Sequence, residues 1–141
     1  MSCQTKPFKR VMKVTEELVR TKLLRRLLTR WLPFFSYADL LLRELSNVSS
    51  ILDLGCGFDS PIKLYDAKYK VGADLFLPYL SRSKQLGAHD DYILADIGAL
   101  CIREKSFDTV LALDVLEHLT KSEGYSLINE MKRIAIGKII V

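Results

Sequence analysis

The stretch Ser50-Ile51-Leu52-Asp53-Leu54-Gly55-Cys56-Gly57 constrains the fold of this chain more than any other. Ile51, Leu52 and Leu54 form the short apolar run of a buried strand, and two glycines follow at once. Glycine lets a backbone turn sharply and lets a ligand approach with no Cβ in the way. Open α/β sheets bind their ligands at such turns, at the carboxyl end of a parallel strand and ahead of a helix. The expectation is therefore an α/β fold with a mostly parallel sheet, arranged around this one turn.

The rest of the chain supplies the other elements. A helix over 37–45 leads into the first strand. Ser60-Pro61 reads as an N-cap and first helical position, predicting a short helix that ends near Lys68. Strands are predicted over 69–74, 91–95 and 106–113, with a helix from Pro78 to Leu86 closed by Gly87. Leu127, Ile128, Met131, Ile134 and Ala135 mark the core face of a last helix, which starts at Ser122 and ends at Gly137. A fifth strand then begins at Lys138. Acidic residues fall at the strand ends: Asp74, Asp96 and Asp114. Asp74 lies 17 positions past Gly57, near the offset of about 20 at which an acid meets ribose hydroxyls.

The charge is uneven. Residues 1–30 carry nine Lys/Arg against two Glu, whereas the remainder carries twelve against fifteen Asp/Glu. Val11, Val14, Leu18, Leu24, Leu27, Leu28, Trp31 and Leu32 recur at helical spacing, predicting a basic amphipathic helix over 9–32 that stops at Pro33. It reads as a helix packed on the sheet domain or capping its cleft. The other readings are an anionic membrane surface or an acidic partner. With no recognisable RNA- or DNA-binding motif, nucleic acid is the least favoured partner. The division expected is 1–36 for this segment and 37–141 for the α/β domain. Cys3, Cys56 and Cys101 are too few and too scattered for a disulfide framework or a zinc site, so no metal is expected. No apolar run approaches the roughly 18 residues of a membrane span, and a cytoplasmic protein is the default, peripheral to a membrane if the basic helix binds one.

Asp53-Leu54-Gly55-Cys56-Gly57-Phe58-Asp59 resembles motif I of the class I S-adenosylmethionine-dependent methyltransferases, (D/E)-x-G-x-G-x-G, with Asp59 in place of the third glycine. The acid two residues before the first glycine, and Ser60 where G-x-G-x-x-G needs glycine or alanine, separate it from nicotinamide-binding folds. Two further segments resemble the same family. Ala95-Asp96-Ile97 is similar to its adenine-binding motif. Phe107-Asp108-Thr109-Val110 followed by Leu116-Glu117-His118-Leu119 resembles the segment after strand four in its quinone- and small-molecule-modifying members.

The resemblance implies a Rossmann-like three-layer sandwich, S-adenosylmethionine as cofactor, and methyl transfer to a small-molecule or lipid-like acceptor. It implies that Asp53, Gly55, Cys56 and Gly57 form the cofactor turn. Asp74 would hold the ribose, Leu75 would line the adenine pocket, and Asp96 with Ile97 would meet the adenine. Asp114 would shape the methionine end, with Glu117 and His118 as the acid–base candidates. A competing reading is a non-catalytic cofactor-binding or scaffold module, a pseudo-methyltransferase or partner subunit. The family's domain has seven strands, so strands six and seven are missing from this chain. The preferred explanation is a fragment; a partner chain at the strand-five edge and a degenerate remnant are the alternatives.

Overall fold

The computed structural model describes residues 37–141, and the basic helix expected over 9–32 lies outside them. The chain forms two units, Met1–Leu41 and Leu42–Val141; the sheet and the site belong to the second. The elements are α1 (Tyr37–Glu44), β1 (Ser50–Leu54), β2 (Tyr69–Asp74), α2 (Leu77–Leu86), β3 (Asp91–Leu94), β4 (Phe107–Leu111), α3 (Lys121–Ile134) and β5 (Ala135–Ile140). The five strands pair in the order β3-β2-β1-β4-β5, and every pairing is parallel. The order reverses at β1, so the crevice between β1 and β4 is the topological switch point at which such sheets bind ligands.

Alternation along the strands sorts the two faces. Leu52, Leu54, Val71, Ala73, Val110 and Ala112 point to one side and pack with Leu127, Met131 and Ile134 of α3. Ile51, Asp53, Gly72, Thr109 and Leu111 take the other side, with Ile51 opposite Thr109 and Asp53 opposite Leu111. α2 packs on β2 and β3 while α3 packs on β4 and β5. Right-handed crossovers that leave β1 in opposite directions put these two helices on opposite faces, which makes the Rossmann-like sandwich expected from the sequence.

Asp108 closes the amino end of the central strand pair. Its Oδ2 accepts from the Ser49 and Ser50 amides at 3.0 and 2.9 Å, and its own amide donates to Ser50 Oγ at 2.9 Å. The acid in Phe107-Asp108-Thr109-Val110 thus joins β4 to the start of β1. In the middle of the same strand, the Thr109 hydroxyl is buried with no hydrogen-bond partner among the described residues.

Several expected elements come out differently. β4 is Phe107–Leu111 rather than 106–113. β5 begins at Ala135 rather than Lys138, so that Ala135 leaves the helix for the strand, and two helices are shorter than expected. The helix expected from Pro61 to near Lys68 is one 3₁₀ turn, Pro61–Leu64. Ser60 caps it as expected, but Tyr65 is extended and buried, and its carbonyl accepts from Lys70 Nζ rather than from a helical amide. The last helix stops at Ile134, not at Gly137, which lies inside β5. Lys105 ends it: Nζ donates to the Lys132 and Ala135 carbonyls at 3.1 and 2.7 Å, and the Lys105 amide donates to Arg133 O. Orphaned carbonyls at a helix end need such donors, and these come from a residue 27 positions earlier than the first carbonyl. At its start, α3 carries a capping box between Thr120 and Glu123. Among the described residues, no helix is long and apolar enough to cross a membrane.

Candidate functional site

The carboxyl ends of the parallel strands bring the predicted residues to one edge of the sheet. After β1, Gly55 and Gly57 have φ of +67° and +58°, a left-handed conformation that β-carbon-bearing residues adopt only at a cost. Three consecutive amides of the turn are tied to β2. Gly55 and Cys56 donate to Ala73 O at 2.8 and 3.1 Å, and Gly57 donates to Asp74 Oδ2 at 2.9 Å. The two glycines face different surroundings. A Cβ on Gly55 would stand 2.6 Å from Val115 Cγ2, whereas one on Gly57 would meet nothing within 4 Å. Gly55 is therefore packed against the segment that follows β4, and Gly57 opens outward.

Asp74 is engaged at both oxygens, because Oδ1 accepts from the Phe76 amide at 2.8 Å. A carboxylate has about four lone-pair sites, so two remain for outside donors. Asp59, which stands where the family pattern has glycine, is exposed and paired with Lys63. Its side chain therefore leaves the turn clear.

Cys56 is buried, and burial together with the Asp53 and Asp74 carboxylates pushes its thiol up to about 12. A thiol so far from ionising packs and does not attack. Leu75 is 69% exposed beyond β2, with Phe76, Leu77 and Tyr79 exposed next to it. Phe58 of the turn meets the Tyr79 ring at 5.5 Å and lies under the Arg82 guanidinium at 4.4 Å.

Asp96 follows β3, exposed, and its Oδ1 accepts from the Gly98 amide at 2.8 Å. Ile97 packs half-buried against the core. Past β4, Asp114 takes a φ of +54°, and Glu117 and His118 stand exposed on a 3₁₀ turn, Leu116–His118, ahead of α3. The turn after β1, Asp74 and the segment carrying Asp114 and Val115 are thus in contact or hydrogen-bonded, whereas Asp96 stands at the neighbouring strand end.

Asp53 does not face outward. It is 2% exposed, and its Oδ2 accepts from Ser60 Oγ at 2.6 Å and lies 3.1 Å from His89 Nε2. Neither His89 nor its neighbours Ser83 and Tyr92 were singled out from the sequence. The available signal was Gly72, a glycine in the interior of a strand, which marks a close approach. A Cβ there would fall 2.9 Å from His89 Nδ1. No group of three or more His, Cys, Asp or Glu among the described residues is placed to hold a metal ion.

Comparison with known proteins agrees with this architecture. Residues 52–138 match the family described as "Methyltransferase domain". The uncharacterized protein MJ0638 of Methanocaldococcus jannaschii is 33% identical over 111 residues, covering 76% of this chain and 47% of that protein. This chain thus spans about half the length of that relative. Among solved structures, the PH0226 protein of Pyrococcus horikoshii superposes with a TM-score of 0.64 at 24% identity, over 72% of this chain and 49% of that one. The magnesium protoporphyrin IX methyltransferase of Synechocystis, solved with bound S-adenosylmethionine, superposes with a TM-score of 0.59 at 19% identity, over 88% of this chain and 71% of that one. The family match covers more than half of the 141 residues, and the chain belongs to the class I methyltransferase family.

Proposed function

We propose that residues 37–141 bind S-adenosylmethionine at the carboxyl edge of the sheet and transfer its methyl group to a small-molecule or lipid-like acceptor. The observation that carries this reading is the Gly57–Asp74 pair. One side of Gly57 is open for 4 Å while its amide fixes the Asp74 carboxylate beside that opening. A nucleoside needs this combination, an acceptor for two vicinal hydroxyls next to backbone with no side chain in front of it. The residues present fit that cofactor. Asp74 would take the ribose, Leu75 the adenine face, Asp96 its amino group and the Ile97 amide a ring nitrogen, and the Gly55–Gly57 backbone with Asp114 the methionine end.

When bound, the cofactor supplies an electrophilic methyl group on a sulfonium. The task left to the chain is alignment and exclusion of water. For acceptors that lose a proton, the acid–base role is assigned to Glu117 and His118, which stand exposed on the 3₁₀ turn after β4, with the exposed Asp114 kept for the methionine end. The basic residues within 9–32 support an anionic or membrane-derived acceptor. Together with the three cysteines, they support a cytoplasmic place peripheral to a membrane.

The test is calorimetric titration of S-adenosylmethionine and S-adenosylhomocysteine into the purified chain, with Asp74→Asn and Leu75→Asp alongside. Micromolar binding is expected, reduced about tenfold or more in Asp74→Asn, the size of one lost charge-assisted contact, and by a similar factor of about ten in Leu75→Asp, which sets a carboxylate where an apolar contact was. A folded chain that gives no heat with either ligand at millimolar concentration overturns the reading.

A further inference from the structure

We propose that His89 is a positioning residue that holds the glycine turn in its ligand-ready form through Asp53. The imidazole has no exposed surface, the Asp53 side chain is 3% exposed, and Nε2 lies 3.1 Å from Oδ2. A carboxylate oxygen accepts, so Nε2 carries the proton and donates it. The same Oδ2 accepts from Ser60 Oγ at 2.6 Å. Asp53 stands at the entry to the turn and Ser60 at its exit, so this hydrogen bond closes a loop between residues seven positions apart, and His89 locks the closing group from outside.

The lock is anchored in turn. Nδ1 lies 3.4 Å from Ser83 Oγ of α2, the His89 amide donates to Tyr92 Oη of β3 at 3.1 Å, and the two rings meet edge-on at 5.3 Å. The imidazole fits over β2 because Gly72 has no side chain. A Cβ there would meet His89 Nδ1 and Cys56 Sγ, each at 2.9 Å. One buried side chain therefore joins β1, the exit of the turn, α2 and β3 on the face opposite α3. Without it, Asp53 keeps one donor for a carboxylate removed from water, a state that costs more than the bond itself contributes. The turn relaxes to hydrate that carboxylate, and the Gly55, Cys56 and Gly57 amides leave their partners on β2.

The consequence for ligand affinity rests on the proposed cofactor site, but the ordering of the turn does not, and two measurements separate them. The first is amide hydrogen exchange without ligand in wild type, His89→Phe, His89→Asn and His89→Gln. Phenylalanine keeps the ring volume without a donor, asparagine is too short to reach Asp53, and glutamine places an amide nitrogen near the Nε2 position. Exchange at Gly55–Gly57 is expected to quicken about tenfold in the Phe and Asn variants, one buried hydrogen bond to a charge, and to return to within about threefold of wild type with Gln. Exchange within twofold of wild type in the Phe variant, or an equal rise across β2 and β3, overturns the proposal. Should the Phe variant fail to fold, the Asn and Gln variants decide it by the same criteria. The second is S-adenosylmethionine affinity, expected to fall about tenfold with Phe or Asn and to recover with Gln. Wild type that binds nothing refutes the cofactor reading, and the exchange result then decides the role of His89 alone.

Discussion

Alanine at Gly55 and alanine at Gly57 differ by one methyl group each in the same turn, and the structure assigns them different costs. At both positions φ is positive, so either substitution costs about 1–2 kcal/mol for the left-handed conformation alone. At Gly57 nothing more is added, because the new Cβ meets no atom within 4 Å. At Gly55 the new Cβ arrives 2.6 Å from Val115 Cγ2. Val115 is β-branched, buried and restricted at χ1, so relief requires a backbone shift of the kind that costs about 1–3 kcal/mol. Gly55→Ala is therefore expected to lose about 2–5 kcal/mol in all, a large part of a typical domain's 5–15 kcal/mol or so. Gly57→Ala is expected to lose about 1–2 kcal/mol and to act mainly on ligand binding.

The assay is urea unfolding followed by far-UV circular dichroism, extended to a double-mutant cycle with Val115→Ala. Val115→Ala alone removes buried methyl groups at about 2 kcal/mol. In the double variant the new Cβ has room, so the combined cost should fall short of the sum by the overpacking term of about 1–3 kcal/mol. Costs at Gly55 and Val115 that add to within about 0.5 kcal/mol would refute the reasoning. So would equal destabilisation by the two alanine variants.

Thr109→Val should stabilise the domain by about 1 kcal/mol, since it replaces a buried unpartnered hydroxyl by a methyl group of the same shape; a lower urea midpoint would contradict this. The Thr120 hydroxyl and amide hold the Glu123 carboxyl below the usual glutamate range. A depressed value in the folded state stabilises above the unfolded value and ceases to as pH falls through the folded one. The first turn of α3 should accordingly loosen on acidification, and NMR titration should show the Glu123 value rising in Thr120→Ala. At pH 8, iodoacetamide should label Cys101, which is exposed, and leave Cys56 intact, because its thiol is held near 12. Peptide mapping by mass spectrometry reads this, and labelling of Cys56 in folded protein would show that the turn opens.

What was legible in the sequence is what local chemistry decides. The apolar run before Gly55 and the spacing from Gly57 to Asp74 placed β1 and β2 at their observed bounds. Proline near its start and Gly87 past its end placed α2. Gly137 misled because glycine is a stop signal only when nothing else terminates the helix, and the donor that does so, Lys105, belongs to the loop before β4. The proline turn at Pro61 was legible as a start but not as a length, since Lys70 takes the Tyr65 carbonyl from outside. His89 was illegible for a similar reason. A histidine two residues past a helix cap carries no periodic signal, and its partners lie six residues back on α2, three ahead on β3 and 36 back on β1.

The position of β1 in the sheet bears on how the chain comes off the ribosome. Its first neighbour, β2, follows within twenty residues, with Ser50 opposite Tyr69. Its second, β4, carries the Asp108 carboxylate that binds Ser50 from 58 residues further on. At about 5–20 residues synthesised per second, that separation is roughly 3–12 s of translation. During that interval the most deeply buried strand of the finished domain has its β4 edge unpaired, and an unpaired edge invites association with other chains. Emergence of Asp108 ends this window of exposure, so slower translation between codons 50 and 108 lengthens the time in which the β4 edge of β1 is open to other chains.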